Sequence, residues 1–242
     1  MADWAKHQTE IANNGYLVIN DVFTPAEVET ILAAIEAADK SKITFRQSDD
    51  LFAIRQFLKE LPGLQPIIFS KNLRELLVRL FGDEYFVCKS IYFDKPQKSN
   101  WFVAWHQDLT ISVKEKTDTV GYGPWTIKHQ QFAVQPPQPI LEDNFTIRIH
   151  LDDTDEQNGA LKVIPASHLK GVVRVDEMDW NNIETDSCNV KSGGVMLMKP
   201  LLFHASGKTV NDKQRRVVHI EFSRAALPAQ LNWSEKLPVD FN

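Results

Sequence analysis

The strongest constraint on this chain is a pair of short motifs that must meet in space although about a hundred residues separate them. The first is Trp105-His106-Gln107-Asp108. The second is Phe203-His204-Ala205-Ser206-Gly207, followed closely by Arg215-Arg216. On an extended strand, side chains two apart point to the same side. His106 and Asp108 can therefore face one cavity while Gln107 faces away. A fold that brings His204 beside them assembles two imidazoles and one carboxylate. Such a set occupies one face of a metal ion and leaves the opposite positions open.

Zinc also accepts two histidines and a carboxylate. The downstream arginine tips the reading, because a planar, permanently charged group suits a carboxylate ligand and a zinc hydrolase does not need one. The four residues together point to non-heme Fe(II) oxygenase chemistry, with His106, Asp108 and His204 as metal ligands.

The rest of the chain reads as a scaffold for such a site. Residues 1–82 read as mostly helical. Thr24-Pro25-Ala26-Glu27 is a capping box with proline at the first helical position. Val28, Ile31, Leu32 and Ile35 follow at helical spacing. A second helix is predicted over 70–81, with Leu73, Leu76, Leu77 and Leu80 on one face and Gly82 as its stop. After Gly82 the period changes to two. Strands are predicted over 85–93, 102–108, 145–151, 160–164, 171–175, 194–198 and 215–222. Many short strands with turn punctuation predict a sandwich or barrel, and helices followed by strands predict helices packed on one outer face. Residues 109–144 show no period and contain Gly121-Tyr122-Gly123-Pro124-Trp125 and Gln135-Pro136-Pro137. A loop this long is either a cover over the active site or a structural arm, and the residues leave both open.

Seven histidines compete for the metal. His7 falls in the N-terminal helix and His129 in the long loop. His168 follows a proline turn and has no arginine at a suitable later spacing. His150 can face either side of its strand. His219 shares a face with Arg215 and reads as a buried, hydrogen-bonded residue. Arg215 and Arg216 face opposite sides of one strand, and alternation alone does not choose between them.

The motifs resemble the phytanoyl-CoA dioxygenase family of Fe(II)/2-oxoglutarate-dependent oxygenases. The resemblance runs from Asn14-Gly15-Tyr16-Leu17-Val18-Ile19 and the Thr24 capping box through Trp105-His106-Gln107-Asp108. It continues through Leu151-Asp152-Asp153, Asn158-Gly159-Ala160-Leu161 and Ile164-Pro165-Ala166-Ser167-His168 to His204-Ala205-Ser206-Gly207 and Arg215. It implies a mainly β fold, a double-stranded β-helix (a cupin-like jelly roll) with N-terminal helices on one sheet. The spacing of the family's co-substrate arginine matches Arg215 rather than Arg216. Ser206 and Lys89 are further cofactor-binding candidates, Lys89 because the family draws co-substrate contacts from its strand. The resemblance implies Fe(II), 2-oxoglutarate and O2, with succinate and CO2 released and a small-molecule or acyl-type substrate hydroxylated. The carboxylate of Asp108 argues against halogenation, since halogenating relatives lack it. Trp125, Lys128 and Gln135 are the substrate-contact candidates. Family membership does not fix a substrate.

Bulk properties narrow the remaining classes. A 242-residue chain with 43% hydrophobic residues is expected to form one domain, 1–242. A net charge of −5 argues against a nucleic-acid partner. No stretch is long and apolar enough for a membrane span. Cys88 and Cys188 show no metal-type spacing, and two reduced thiols fit a cytoplasmic location. A non-catalytic cupin-like binding protein is the alternative, but it would need neither Asp108 nor Arg215.

Overall fold

The computed structural model of the chain describes residues 3–48, 51–99, 101–128, 131–181 and 183–241. Helix α1 (Trp4–Asn14) closes on Gly15 in the left-handed region, φ 82°. Helix α2 (Pro25–Glu36) starts at the predicted capping box. Thr24 Oγ1 accepts from the Glu27 amide, and the Glu27 carboxylate accepts from the Thr24 amide. A cap of this kind contributes about 1 kcal/mol. It sets the register that buries Val28, Ile31 and Ile35, each worth roughly 1.5–3 kcal/mol when fully withdrawn from water. Two single turns, α3 (Phe57–Glu60) and α4 (Gln65–Ile68), lead into α5 (Lys71–Phe81). Helix α5 buries Leu73, Leu76 and Leu77 and stops at Gly82.

The strands are β1 (Tyr16–Ile19), β2 (Phe45–Ser48), β3 (Leu51–Arg55), β4 (Phe86–Lys95) and β5 (Val103–His106). Then come β6 (Ile111–Val113), β7 (Trp125–Lys128), β8 (Gln131–Val134), a short helix α6 (Gln138–Asp143) and β9 (Phe145–His150). The last are β10 (Leu161–Val163), β11 (Asp186–Cys188), β12 (Val195–Met198), β13 (His204–Ser206), β14 (Arg215–Ser223) and β15 (Leu237–Pro238). They form a major sheet of order β1-β12-β9-β14-β4-β3-β2, with β15 on β4, and a minor sheet β11-β10-β13-β5. Leu161, Val163 and Cys188 of the minor sheet pack against Met196 and Met198 of the major one. This is the expected double-stranded β-helix with its helices on one outer face.

Alternation along β14 shows how the layers are set. Val218, Ile220 and Phe222 are fully buried in the helix-facing core. The Phe145 ring stacks on Phe81 at 3.7 Å and on Phe222 at 4.7 Å. The other face carries Arg215, Val217, His219 and Glu221. Across β4 and β9 it carries Lys89, Ile91, Phe93, Lys95, Arg148 and His150. The apolar set goes to the helices, so the polar set must line the interior between the sheets.

Three expectations are corrected. Residues 1–82 are not simply a helical support, because β1 pairs with β12 and β2–β3 pair onto β4 as major-sheet strands. Their short length and edge positions hide their alternation. Residues 171–175 form no strand. Gly171 sits at φ 70° and its carbonyl accepts from the Gln107 side chain, so it joins no ladder. Residues 109–144 are not a structureless loop but a three-stranded sheet, β6-β8-β7, followed by α6. That sheet packs Ile111, Val113 and Val134 on Cys88 and Trp233, partners remote in sequence that give no local period.

Candidate active site

Strands β13 and β5 pair with His204 directly opposite His106, and a register shift follows His204. The two imidazole rings lie 4.2 Å apart between centroids. His106 Nε2 is 3.8 Å from Asp108 Oδ1, and His204 Nε2 is 3.7 Å from Asp108 Oδ2. One ligand atom from each of the three residues falls within 4.8 Å of the others. Each ring is aimed by its second nitrogen: His106 Nδ1 is 2.8 Å from the Ala104 carbonyl, and His204 Nδ1 is 2.9 Å from that of Leu202. A carbonyl can only accept, so each Nδ1 carries a proton and each Nε2 is the atom turned toward Asp108.

Gln107 secures the motif from behind. Its amide nitrogen donates to the carbonyls of Gly171 and Leu201, and its oxygen accepts from the Val173 amide. Protonation states favour metal binding. Burial pushes the His204 imidazole down to about 4 despite the pull of Asp108. Burial pushes the Asp108 carboxyl up, but His204, Lys89 and His219 more than offset it and hold it at about 2. Neutral imidazole and ionised carboxylate are the forms a metal takes.

Arg215 is 2% exposed, and its Nε and Nη1 find no hydrogen-bond partner among the described residues. Burial, with repulsion from Arg148, lowers its guanidinium to about 9. A buried charge with idle donors is costly unless an anion joins it. Arg216 is already engaged. It grips Asp152 through Nε and Nη2, at 2.9 and 2.6 Å. Ser206 donates to the Gly159 carbonyl at 3.0 Å. Gly159 adopts φ +84°, and a Cβ there would meet Lys95 Nζ at 2.8 Å and the Gly207 oxygen at 2.9 Å, so only glycine fits beside Lys95 and Ser206. Lys89 Nζ pairs with Glu221 at 2.7 Å.

The remaining candidates separate. Trp125 packs into the apolar cluster around Trp233. Gln135 exchanges backbone hydrogen bonds with Gly123 and Pro124. The backbone of Lys128 closes β7, and its side chain lies outside the described ones, as does His129. Among the rival histidines, His168 bonds the Ala12 carbonyl beneath Gly15 at 3.0 Å, and His150 bonds Thr154 at 2.8 Å. His7 packs edge-on against Trp4.

Sequence reasoning missed Arg148. It is buried on β9, and its Nη1 lies 3.1 Å from His219 Nδ1. Arginine only donates, so His219 Nδ1 must accept, and its Nε2–H then donates to Glu221 at 3.0 Å. Asp108, His219 and Glu221 also lie close enough to share an ion. Both His219 nitrogens are occupied, however, and Arg148 and Lys89 stand beside the group, so it reads as a hydrogen-bond relay. The available signal was a charged residue on a strand buried along its whole length, two residues before His150.

A double-stranded β-helix with two histidines and a carboxylate on one inner rim defines the class, a cupin-like non-heme metal oxygenase. The chain belongs to the phytanoyl-CoA dioxygenase family, whose model matches residues 11–217. Members of that family use Fe(II) and 2-oxoglutarate, with O2 as co-substrate. A curated relative from Stutzerimonas stutzeri, described as a "probable alpha-ketoglutarate-dependent hypophosphite dioxygenase", is 25% identical over 197 residues, 75% of this chain. The chain spans 58% of that relative's length. The fold is shared with the carbocyclase SnoK from nogalamycin biosynthesis, at a TM-score of 0.69 and 18% identity over 93% of this chain and 85% of that one. It is shared also with EctD from S. alaskensis, at 0.71 and 19% over 98% and 86%. Among the described residues no helix is long and apolar enough to cross a membrane.

Proposed function

We propose that this chain is an Fe(II)/2-oxoglutarate-dependent oxygenase that hydroxylates a small molecule, and that residues 1–242 act as one catalytic domain. The observation that carries this reading is the convergence of the His106, Asp108 and His204 ligand atoms, with both imidazoles oriented by backbone carbonyls. These three residues would hold Fe(II). Their donor set suits it, and three protein ligands leave positions for co-substrate and O2. Arg215 would hold the far carboxylate of 2-oxoglutarate, for which its idle Nε and Nη1 are suited. Ser206 would border that carboxylate and could donate to it only by turning its hydroxyl from the Gly159 carbonyl. Bound together, the iron and 2-oxoglutarate supply the O2-dependent oxidation, with succinate and CO2 as co-products.

The protein's own residues do the positioning. Arg148 fixes the tautomer of His219, and His219 and Lys89 hold Glu221 ionised near Asp108. Lys89 therefore acts on the site through Glu221 in this reading, and it stands on the substrate side. Arg148 and His219 are buried, which strengthens their interactions with the groups beside them.

The test is anaerobic addition of Fe(II) and 2-oxoglutarate, followed by the weak visible band of the chelate. The wild type should show it. His204→Ala and Asp108→Ala should abolish it, and His168→Ala should leave it intact. Loss of the band in His168→Ala with retention in His204→Ala would overturn the ligand assignment.

A further inference from the structure

We propose that the cavity beside the metal-ligand cluster takes a small polar substrate bearing an anionic group, and that Arg55 and Arg46 hold that group. The inference rests on the oxygenase reading above and adds the substrate class.

The cavity, about 400 Å³, lies between the inner face of β3–β4 and the small sheet β6-β8-β7. It reaches the chemistry. Thr110, two residues beyond Asp108, borders both this cavity and the narrow recess that contains Asp108 and Glu221. Lys89 lines the wall and holds Glu221 at 2.7 Å. A substrate in the cavity would therefore present one end toward the metal ligands.

The charge of the wall is unbalanced. Its acid is already satisfied: Glu235 accepts from the Ser90 amide at 2.8 Å and from the Ser90 hydroxyl at 2.6 Å, with Lys59 nearby. Glu221, in the adjoining recess, is held by Lys89 and His219. The arginines are not. Arg55, half-buried on β3, gives its guanidinium only to the neutral amide of Gln131. Burial, and to a lesser degree repulsion from Arg46 on the neighbouring strand, lowers the Arg55 guanidinium. Among the described residues neither arginine has a carboxylate partner. Two like charges facing one cavity without a counter-charge are destabilising until an anion joins them, and a guanidinium pair suits the planar oxygens of a carboxylate or the oxygens of a phosphonate.

Size and polarity narrow the class. The volume sits near the lower end of the roughly 300–1,000 Å³ typical of small-molecule pockets. Ser112, Thr126 and Ser234 put hydroxyls on the wall, interleaved with apolar surface from Ile91, Phe93 and Phe132. That is a place for a compact, polar acid. A long acyl chain would need an apolar tunnel.

The test uses the whole chain with Zn(II) in place of iron and saturating 2-oxoglutarate. It is titrated with acetate and methylphosphonate, and with acetamide as the neutral control, and followed by saturation-transfer NMR. Both anions should bind, and acetamide should bind at least about tenfold more weakly. Arg55→Gln should weaken the anions by at least about tenfold and leave 2-oxoglutarate binding unchanged. Arg46→Gln, at an exposed position, should weaken them less but measurably. It carries the test if Arg55→Gln fails to fold. Equal binding of anions and acetamide, or unchanged anion binding in the folded variants, overturns the proposal. Failure of the wild type to form the Fe(II)/2-oxoglutarate chelate would instead sink the oxygenase reading, whereas an intact chelate without anion preference sinks only this one.

Discussion

The two faces of the major sheet are built from the same strands and obey opposite rules. Toward the helices, Val218, Ile220 and Phe222 of β14, with Ile147 and Phe145 of β9, are sealed in a stacked aromatic and aliphatic core. These side chains pack against one another and against the apolar faces of the helices. One residue along, the interior face carries Arg215, Arg148 and His219, also buried, beside the half-buried Glu221 and Lys89, and both arginines keep donors that find no partner among the described residues. The first face stabilises the fold. The second holds buried charge that is costly without partners, and the idle donors of Arg215 are where the proposed co-substrate would bind.

The largest effect expected from testing this contrast lies on the outer face. Phe145→Ala removes a ring stacked between Phe81 and Phe222 and should cost about 3–5 kcal/mol of unfolding free energy by urea denaturation. Arg215→Met should behave in the opposite way. Replacing a buried, unpartnered charge with an apolar side chain should leave the metal-free protein as stable or more so, while 2-oxoglutarate binding weakens by about 2–5 kcal/mol. If Arg215→Met unfolds the protein as Phe145→Ala does, the division of labour between the faces is wrong.

A smaller effect is expected at Arg216. Its bidentate grip on Asp152 ties β14 to the turn after β9. Arg216→Ala should cost roughly 1–3 kcal/mol of stability and leave 2-oxoglutarate affinity unchanged. A matching loss of affinity would show that the two arginines share the co-substrate.

The smallest effect concerns pH. Burial holds His204, His150 and His219 below the ordinary imidazole value, His204 at about 4. As pH falls below about 6.5, the unfolded chain gains protons on these residues that the folded chain refuses, so the metal-free protein loses stability from there downward. Between pH 7.5 and 6 the loss should be modest. The Arg148→Met variant should show a shallower decline, because Arg148 helps to depress both His150 and His219. A stability that rises on acidification would contradict the neutral, buried state of these histidines.

Local chemistry determined a good deal before any tertiary contact was known. The α2 cap, the leucine face of α5, the spacing of His106 and Asp108, and the turn residues between strands act over a few residues, and their consequences can be read from a few residues. Resemblance to a family narrowed the choice between Arg215 and Arg216 that alternation left open. Tertiary structure decided what depends on partners remote in the chain. The strand β14 has two plausible buried faces, and only the helices packed on Val218, Ile220 and Phe222 turn Arg215 inward. The small sheet spanning residues 111–134 has no readable period because its apolar side is defined by Cys88 and Trp233. Arg55 and Arg148 look like ordinary charged residues until β3, β4, β9 and β14 are laid side by side. Burial, unlike strand spacing or helix capping, belongs to no single segment: it comes into being only when distant segments close over one another.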